Sequence, residues 1–389
     1  MNLKQLPVAL TVLALTIAGL TPAAAVRAQV PSAPELGATS YVLLDFHSGE
    51  TIADRQPTLK VEPASITKLM TSYVVFRELE KGQLSLEDKV LISEKAWRTG
   101  GSRMFVEVDT EVSVEDLLMG VIVQSGNDAS VALAEHVAGS EQVFAQMMNA
   151  EAERLGMSDT SYENATGLPA PEHYTTARDV AILARALIQE FPQYYRWYSQ
   201  HEFTYNDITQ QNRNLLLYRD QSVDGLKTGH TEAAGYCLAT SAVRDGMRLI
   251  SVVMGTESES ARATASQALL NYGFRFFETF KLYSAGDIIS STPVWKGELE
   301  EMRLGIDDDV FVTVPRGSQG SLSAEVLVPS KPIAPFAKGQ QFGTLEVNFD
   351  GEPRLQRPLL VMDEVASAGW WGRTTDGIGL WFDGLFGGD

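Results

Sequence analysis

Residues Pro63-Ala64-Ser65-Ile66-Thr67-Lys68-Leu69-Met70 (PASITKLM) set a hydroxyl and an amine three positions apart, directly behind a proline and at the head of an apolar run. A proline suits the first helical turn, where its missing N–H costs no hydrogen bond. After it, Ile66, Leu69, Met70, Tyr73, Val74 and Phe76 keep a helical period. Positions i and i+3 share a helix face, so the Lys68 amine comes within reach of the Ser65 hydroxyl. A serine hydroxyl attacks well only when a base takes its proton, and lysine serves as that base only when neutral. Burial, the positive end of the helix dipole and a second cation such as Lys227 would each lower its pKa. The same spacing also fits a plain helix start with a solvated lysine one turn later. Average residue usage gives about one chance S-x-x-K in a chain this long, and Ser65 to Lys68 is the one match here.

Working outward, Ser125-Gly126-Asn127-Asp128 lies between two helical segments, Val114 to Gln124 and Ala129 to Val137. Ser113-x-x-Asp116 caps the first, and Asn127 or Asp128 can cap the second. Lys227-Thr228-Gly229-His230 ends a period-two stretch, Leu226 to His230. Tyr236 to Val243 and Met247 to Met254 follow it as strands joined by the hairpin pair Asp245-Gly246. Taken singly, the first of these motifs reads as a capping turn and the second as a strand end with a glycine turn. Together with Ser65 and Lys68, in this order, with one on a helix start, one between helices and one on a strand, they resemble the S-x-x-K, S-D-N and K-T-G set of class A β-lactamases and penicillin-binding proteins; the middle motif here reads S-G-N, which favours the peptidase.

The first domain opens on a hairpin, Tyr41 to Phe46 and Thr51 to Ala53 around Ser48-Gly49-Glu50, and closes with a helix carrying Ala265, Leu269, Leu270 and Phe274. Strands from both ends of this segment are expected to form one antiparallel sheet flanked by helices, an α+β domain over 29–284. From 285 to 363 short alternating strands broken by Pro and Gly (Phe311 to Val314, Ser323 to Val328, Gly343 to Phe349, Leu359 to Met362) read as a small all-β domain.

At 389 residues the chain is long enough for at least two domains with a large core, and its 44% apolar content is that of a globular protein. Residues 1–28 combine Lys4, an apolar stretch from Leu6 to Leu20 and small residues at Ala23 to Ala25 and Ala28. This reads as an export signal, because the stretch is too short and Pro-interrupted for a spanning helix. Its removal takes away Lys4 and Arg27 and no acid, leaving a net charge of −21 in place of −19. So acidic a surface argues against nucleic acid as a partner. Cys237 is the single cysteine, which rules out an internal disulfide and a cysteine-based metal site. None of the five histidines, His47, His136, His173, His201 and His230, forms an H-E-x-x-H pair, and no serine lies in a G-x-S-x-G setting.

With PASITKLM, VQSGNDAS and VDGLKTGH in place, the chain resembles the low-molecular-mass penicillin-binding proteins that are serine-type D-alanyl-D-alanine carboxypeptidases, over nearly its whole length. The resemblance implies a β-lactamase/transpeptidase-like catalytic domain followed by a β domain, with no cofactor and no metal. It implies Ser65 as the acylated serine, Lys68 as its base, Ser125 and Asn127 as the middle motif, and Lys227, Thr228 and Gly229 as the strand motif. The N–H groups of Ser65 and His230 would form the oxyanion hole. Arg213, in Asn212-Arg213-Asn214-Leu215, resembles an arginine that holds the substrate carboxylate; the spacing is one residue short, and a surface salt bridge is the competing reading. Tyr162-Glu163-Asn164-Ala165-Thr166-Gly167-Leu168 resembles the family's F-x-N-x-x-G-L pattern, with Tyr at its first position, and not a hydrolytic glutamate loop. The substrate implied is the peptidoglycan pentapeptide stem, with β-lactams as inhibitors.

Over 364–389, Ile378, Trp381 and Leu385 share a helical face, with Trp370 and Trp371 upstream. The family uses such a tail to sit on the outer face of the inner membrane, which implies a periplasmic protein in peripheral membrane contact. Here Arg373 stands against Asp376, Asp383 and Asp389 among several glycines, so a partner-docking or disordered tail is the other reading. Two functional alternatives also stand beside the carboxypeptidase: a class A-like β-lactamase, and a low-activity penicillin-binding scaffold.

Overall fold

The computed structural model describes residues 30–369. The export signal expected at 1–28 and the tail from Trp370 onward lie outside the described residues. Strands β1 (Ser40–Asp45), β2 (Thr51–Arg55), β3 (Val223–Thr231), β4 (Gly235–Arg244) and β5 (Met247–Thr256) form one antiparallel sheet in the order β2-β1-β5-β4-β3. The chain thus contributes strands from both ends of the segment, and β3 is left as an edge.

Period-two alternation buries both faces of the sheet. Val42, Leu44, Ala239, Ile250 and Val252 point into one core, with helices α1 (Lys68–Glu80), α3 (Asn127–Ala138), α4 (Glu141–Leu155) and α5 (Ala177–Glu190). Tyr41, Leu43, Leu238, Leu249 and Val253 point into the other, with α6 (Glu259–Phe276). Helix α1 is buried on every side from Lys68 to Phe76, so it is a central helix and not a surface one. Leu69, Met70, Tyr73 and Phe76 are fully enclosed, each worth about 1.5–3 kcal/mol of burial. Such packing fixes α1, and with it Ser65 and Lys68, against the sheet.

The first turn departs from a regular helix. Ala64–Thr67 is a 3-10 turn capped by Pro63, and the α-helix proper starts at Lys68. Similarly, the segment from Val114 is α-helical only to Met119 (α2), capped by the Ser113 hydroxyl, and then widens into a π turn, Gly120–Gln124. That widening delivers Ser125 to the break between α2 and α3.

The second domain is all-β. Strands β7 (Ile288–Pro293), β8 (Glu301–Gly305), β10 (Leu322–Leu327), β11 (Gln341–Phe349) and β12 (Glu352–Val361) pair in the order β7-β8-β12-β11-β10, around Met302, Leu304, Leu345, Val347 and Leu359. Strand β6 (Phe277–Tyr283) pairs with β9 (Val310–Pro315). Helix α6 runs straight into β6 without a Gly or Pro break, eight residues before the expected boundary at 284/285. At the other end, Val365 is buried and bridges Phe336, and Ser367 bridges Gly297, so residues 364–367 close this module and do not begin the tail. The two domains meet where Ser48 Oγ and Thr313 Oγ1 lie 2.7 Å apart and Thr279 Oγ1 donates to Asp45 Oδ2 at 2.7 Å. His47 stacks on Phe311 at the same junction, ring centroids 4.7 Å apart. Among the described residues no helix is long and apolar enough to cross a membrane.

Candidate active site

The three motifs converge at the edge strand. Gly229 eases the approach: a Cβ there would lie 3.0 Å from the Pro63 carbonyl oxygen and 3.1 Å from Ile66 Cγ1, tight enough that β3 or the turn that carries Ser65 would have to give by a few tenths of an ångström. Ser65, Ser125, Thr228, Gly229 and His230 line one cleft of about 220 Å³, together with Ser102, Arg213, Tyr236, Glu259 and Arg262. Larger hollows occur at the domain junction, one of about 790 Å³ lined by Phe274, Phe311 and Arg316, but no motif residue reaches them.

Lys68 is the centre of the site. Its side chain is 0% exposed, and its Nζ donates to Ser65 Oγ at 3.1 Å, to Asn127 Oδ1 at 2.7 Å and to the Thr166 carbonyl at 2.5 Å. Burial, and after it the Arg213 guanidinium, pushes its pKa down to about 7, with Asp128 pulling the other way. The solvated lysine of the plain reading is thereby excluded. Lys227 is also buried, and its Nζ donates to the Thr228 carbonyl at 3.3 Å. Its pKa is driven well below the usual lysine range by burial first, and then by the charges of Lys68, Arg213 and Arg262. The cation expected to act on Lys68 was Lys227; the one that does is Arg213, while the Lys68 charge acts on Lys227.

Ser125 is held in the left-handed region, φ 63° and ψ 34°, a conformation costly for a residue with a side chain. Its Oγ is buried without a hydrogen-bond partner among the described residues. Asn127 bridges the motifs: Oδ1 accepts from Lys68 while Nδ2 donates to the Gly100 carbonyl at 2.7 Å. Arg213 forms no salt bridge among the described residues; its Nη1 donates to Ser102 Oγ at 2.7 Å on the cleft wall. His230 is exposed at the end of the β3 motif and stacks on Tyr236, ring centroids 4.0 Å apart.

Several participants escaped the motif reading. Arg262 is almost wholly buried in α6, donates from Nη1 to the Gly229 carbonyl at 3.1 Å and brings a second guanidinium to the cleft. A signal for it exists: Arg262 falls in register with Ala265, Leu269 and Gly273 on the buried stripe of α6, where a cation is out of place. His173 accepts the Glu163 N–H on Nδ1 at 2.9 Å, so its Nε2 bears the proton and donates to Thr67 Oγ1 at 2.8 Å. Burial and the Lys68 charge push its pKa down to about 4. The Tyr162 to Leu168 loop supplies the Thr166 carbonyl, while the Glu163 carboxylate accepts the Glu172 N–H at 2.9 Å within its own loop. Gly167, at φ 82°, abuts Ala64 so closely that a Cβ would sit 1.8 Å from its carbonyl oxygen. Among the described residues no group of three His, Cys, Asp or Glu side chains is placed to hold a metal ion.

An acyl-transfer site of this geometry agrees with what the chain is similar to. The D-alanyl-D-alanine carboxypeptidase family model matches residues 27–258, and the penicillin-binding protein 5 C-terminal domain model matches residues 277–367. D-alanyl-D-alanine carboxypeptidase DacA of Escherichia coli is 40% identical over 370 residues, covering 93% of this chain and 92% of that protein. The crystal structure of penicillin-binding protein 5 from Haemophilus influenzae superposes with a TM-score of 0.84 at 42% identity, covering 87% of this chain and 100% of that one. A Listeria monocytogenes penicillin-binding protein solved in an ampicillin-bound form covers 61% of this chain and 98% of its own, with a TM-score of 0.57 at 29% identity. The chain belongs to the D-alanyl-D-alanine carboxypeptidase family of serine peptidases.

Proposed function

We propose that this serine peptidase removes the terminal D-alanine from peptidoglycan pentapeptide stems through an ester on Ser65, with Lys68 as the base. One observation carries the assignment: a fully buried amine, its pKa lowered to about 7, donates at 3.1 Å to a serine hydroxyl that opens onto the cleft. A base of that pKa is matched to reaction near neutral pH.

In the first half-reaction the substrate's terminal carboxylate is met by Thr228 and by the guanidinium groups of Arg213 and Arg262, charge-assisted contacts of the stronger kind. The same carboxylate favours the proton on Lys227, and repulsion between the buried amines then favours neutral Lys68. Ser65 Oγ attacks the carbonyl carbon of the scissile amide as its proton passes to Lys68 Nζ. The oxyanion is received by the N–H groups of Ser65 and His230, a contribution of about 3 kcal/mol for each donor. Ser125, whose hydroxyl has no partner among the described residues, relays the proton held by Lys68 to the departing amine; the C–N bond breaks, D-alanine leaves and Lys68 is neutral again. Asn127 holds Lys68 and faces the substrate. In the second half-reaction water attacks the ester, gives its proton back through Lys68 and frees the shortened peptide.

β-Lactams offer a strained amide and a carboxylate to the same groups, so they acylate Ser65 and are released slowly. The ampicillin-bound form of the Listeria relative supports this reading. A β-lactamase adds a glutamate that drives deacylation, whereas the Glu163 carboxylate is engaged by the Glu172 backbone. The apolar stretch Leu6 to Leu20 and the tryptophan-bearing tail support export to the periplasm and attachment to the outer face of the inner membrane. Deletion of residues 370–389 is expected to move the protein from the membrane to the soluble fraction, and unchanged sedimentation with membranes would remove the tail from the account.

The assay for the reaction is release of D-alanine from a D-Ala-D-Ala pentapeptide by the purified protein and by Ser65→Ala. Release by the unaltered protein alone is expected. Equal release by both would contradict the assigned nucleophile, and no release by either would favour a penicillin-binding scaffold.

A further inference from the structure

The residue directly after the middle motif is held by more hydrogen bonds than a helix cap requires. The Asp128 side chain is 1% exposed and has no cation within salt-bridge distance among the described residues. Its Oδ1 accepts the N–H of Met104 at 3.0 Å and of Ala129 at 2.9 Å, and its Oδ2 accepts those of Phe105 at 2.9 Å and Val106 at 3.3 Å. Of these four, one comes from the next residue and three from a loop more than twenty residues earlier. Asn127 extends the same attachment: its N–H donates to the Ser102 carbonyl at 2.7 Å, and its side chain donates to the Gly100 carbonyl.

That loop has no regular structure of its own. Gly101 and Phe105 take positive φ, 84° and 69°, and Phe105 is exposed. Yet it carries Ser102, which lines the cleft and accepts the Arg213 guanidinium. It also packs Met104 against Gly120, where any Cβ would strike the Met104 sulfur, so the loop bears on the π turn that presents Ser125. Gly126 completes the fit, since a Cβ there would lie 2.9 Å from Asp128 Oδ1 and 3.2 Å from the Met104 nitrogen. A carboxylate accepts from several N–H groups at once with no lone pair turned against a donor. An amide offers only one oxygen, and its NH2 would face N–H groups.

We propose that Asp128 is a positioning residue for the acyl transfer: its carboxylate pins the 102–106 loop to the start of α3, so that Ser102 and Arg213 form one wall of the carboxylate site, and it sets its negative charge toward the Lys68 amine. The inference rests on the function proposed above. The charged and titratable groups that face Lys68 are Asp128 from α3, Arg213 from the segment before β3, Lys227 from β3 and His173 from the loop before α5. Among them Asp128 alone is an anion. It therefore keeps the amine from becoming too weak a base, opposing burial and Arg213.

The test compares the unaltered protein with Asp128→Asn, measuring D-alanine release from a D-Ala-D-Ala peptide as kcat and KM, and the rate of Ser65 acylation by a labelled penicillin against pH. We expect KM to rise about tenfold or more, as one set of charge-assisted bonds is weakened. The acid limb of the acylation profile is expected to move to lower pH, since loss of the anion makes Lys68 easier to deprotonate, and the plateau to fall. Amide exchange at residues 104–106 is expected to accelerate. Asp128→Ser, smaller and able to accept one N–H, gives the same readings should the amide variant fail to fold. A folded variant with unchanged KM and an unmoved acid limb overturns the proposal. An unaltered protein that releases no D-alanine overturns the underlying function instead.

Discussion

Ser125 gives the sharpest stability prediction, because the residue that serves the reaction should weaken the fold. A non-glycine residue in the left-handed region costs roughly 1–2 kcal/mol, and Ser125 sits there at φ 63°. A buried hydroxyl without a partner costs a further ~1–3 kcal/mol, and the Ser125 Oγ is one. Ser125→Gly removes both. Against this stand about 0.4–1 kcal/mol for the freedom glycine gives the unfolded chain and about 1 kcal/mol for the lost Cβ and Oγ contacts. The balance at the middle of these ranges is a gain of about 2 kcal/mol, or roughly 4–8 °C in the midpoint for a domain of this size. Ser125→Ala relieves only the hydroxyl and should fall between the two. Thermal unfolding by circular dichroism reads the order of stability, and D-alanine release reads activity. We expect the order Gly, Ala, Ser from most to least stable, with both variants losing turnover. If both melt below the unaltered protein, neither the strain nor the unpaired hydroxyl is real; if either keeps full turnover, Ser125 is not the proton relay.

Two further perturbations follow from contacts at the same site. Gly167→Ala, at φ 82° with a Cβ 1.8 Å from the Ala64 oxygen, should cost about 3 kcal/mol or more and lift the Thr166 carbonyl from Lys68, read as a lower denaturation midpoint with slower acylation. His173 takes a proton near 6.5 when unfolded and only near 4 when folded, so stability is lost as pH falls from about 6.5 and the loss is complete below about 4. This amounts to about 3 kcal/mol. Denaturant titrations at pH 7 and pH 4.5 should show a smaller drop for His173→Gln than for the unaltered protein, and an equal drop would show that His173 is not the group responsible.

The motifs could be read from the sequence because each is contiguous and each sits where its chemistry needs it: a helix start, an interhelical break, a strand end. The sheet was legible for a similar reason, since Tyr41 to Leu44 and Leu249 to Val253 alternate between two apolar faces. What sequence hid is what tertiary contact creates. The Thr166 carbonyl is a backbone group with no identity in the sequence, and the Asp128 tether depends on a loop folding back over twenty residues. Arg262 belongs to none of the motifs, and only its register with Ala265 and Leu269 on the buried stripe of α6 marks it. Strand β6 carried no signal of its own, because every residue but Lys281 is half-buried and no clean alternation survives. The π turn at Gly120–Gln124 left no mark either, because it keeps the apolar run of an ordinary helix.

The central claim is that a buried, neutral Lys68 activates Ser65. Its most direct measurement is the rate at which a labelled penicillin acylates the protein from pH 5 to pH 10, with the modified peptide identified by mass spectrometry. The account predicts label on Ser65 and a rate that climbs through a midpoint near 7, where burial and Arg213 hold the amine. A midpoint near the ordinary lysine value of about 10.4, or label on any other residue, would contradict it.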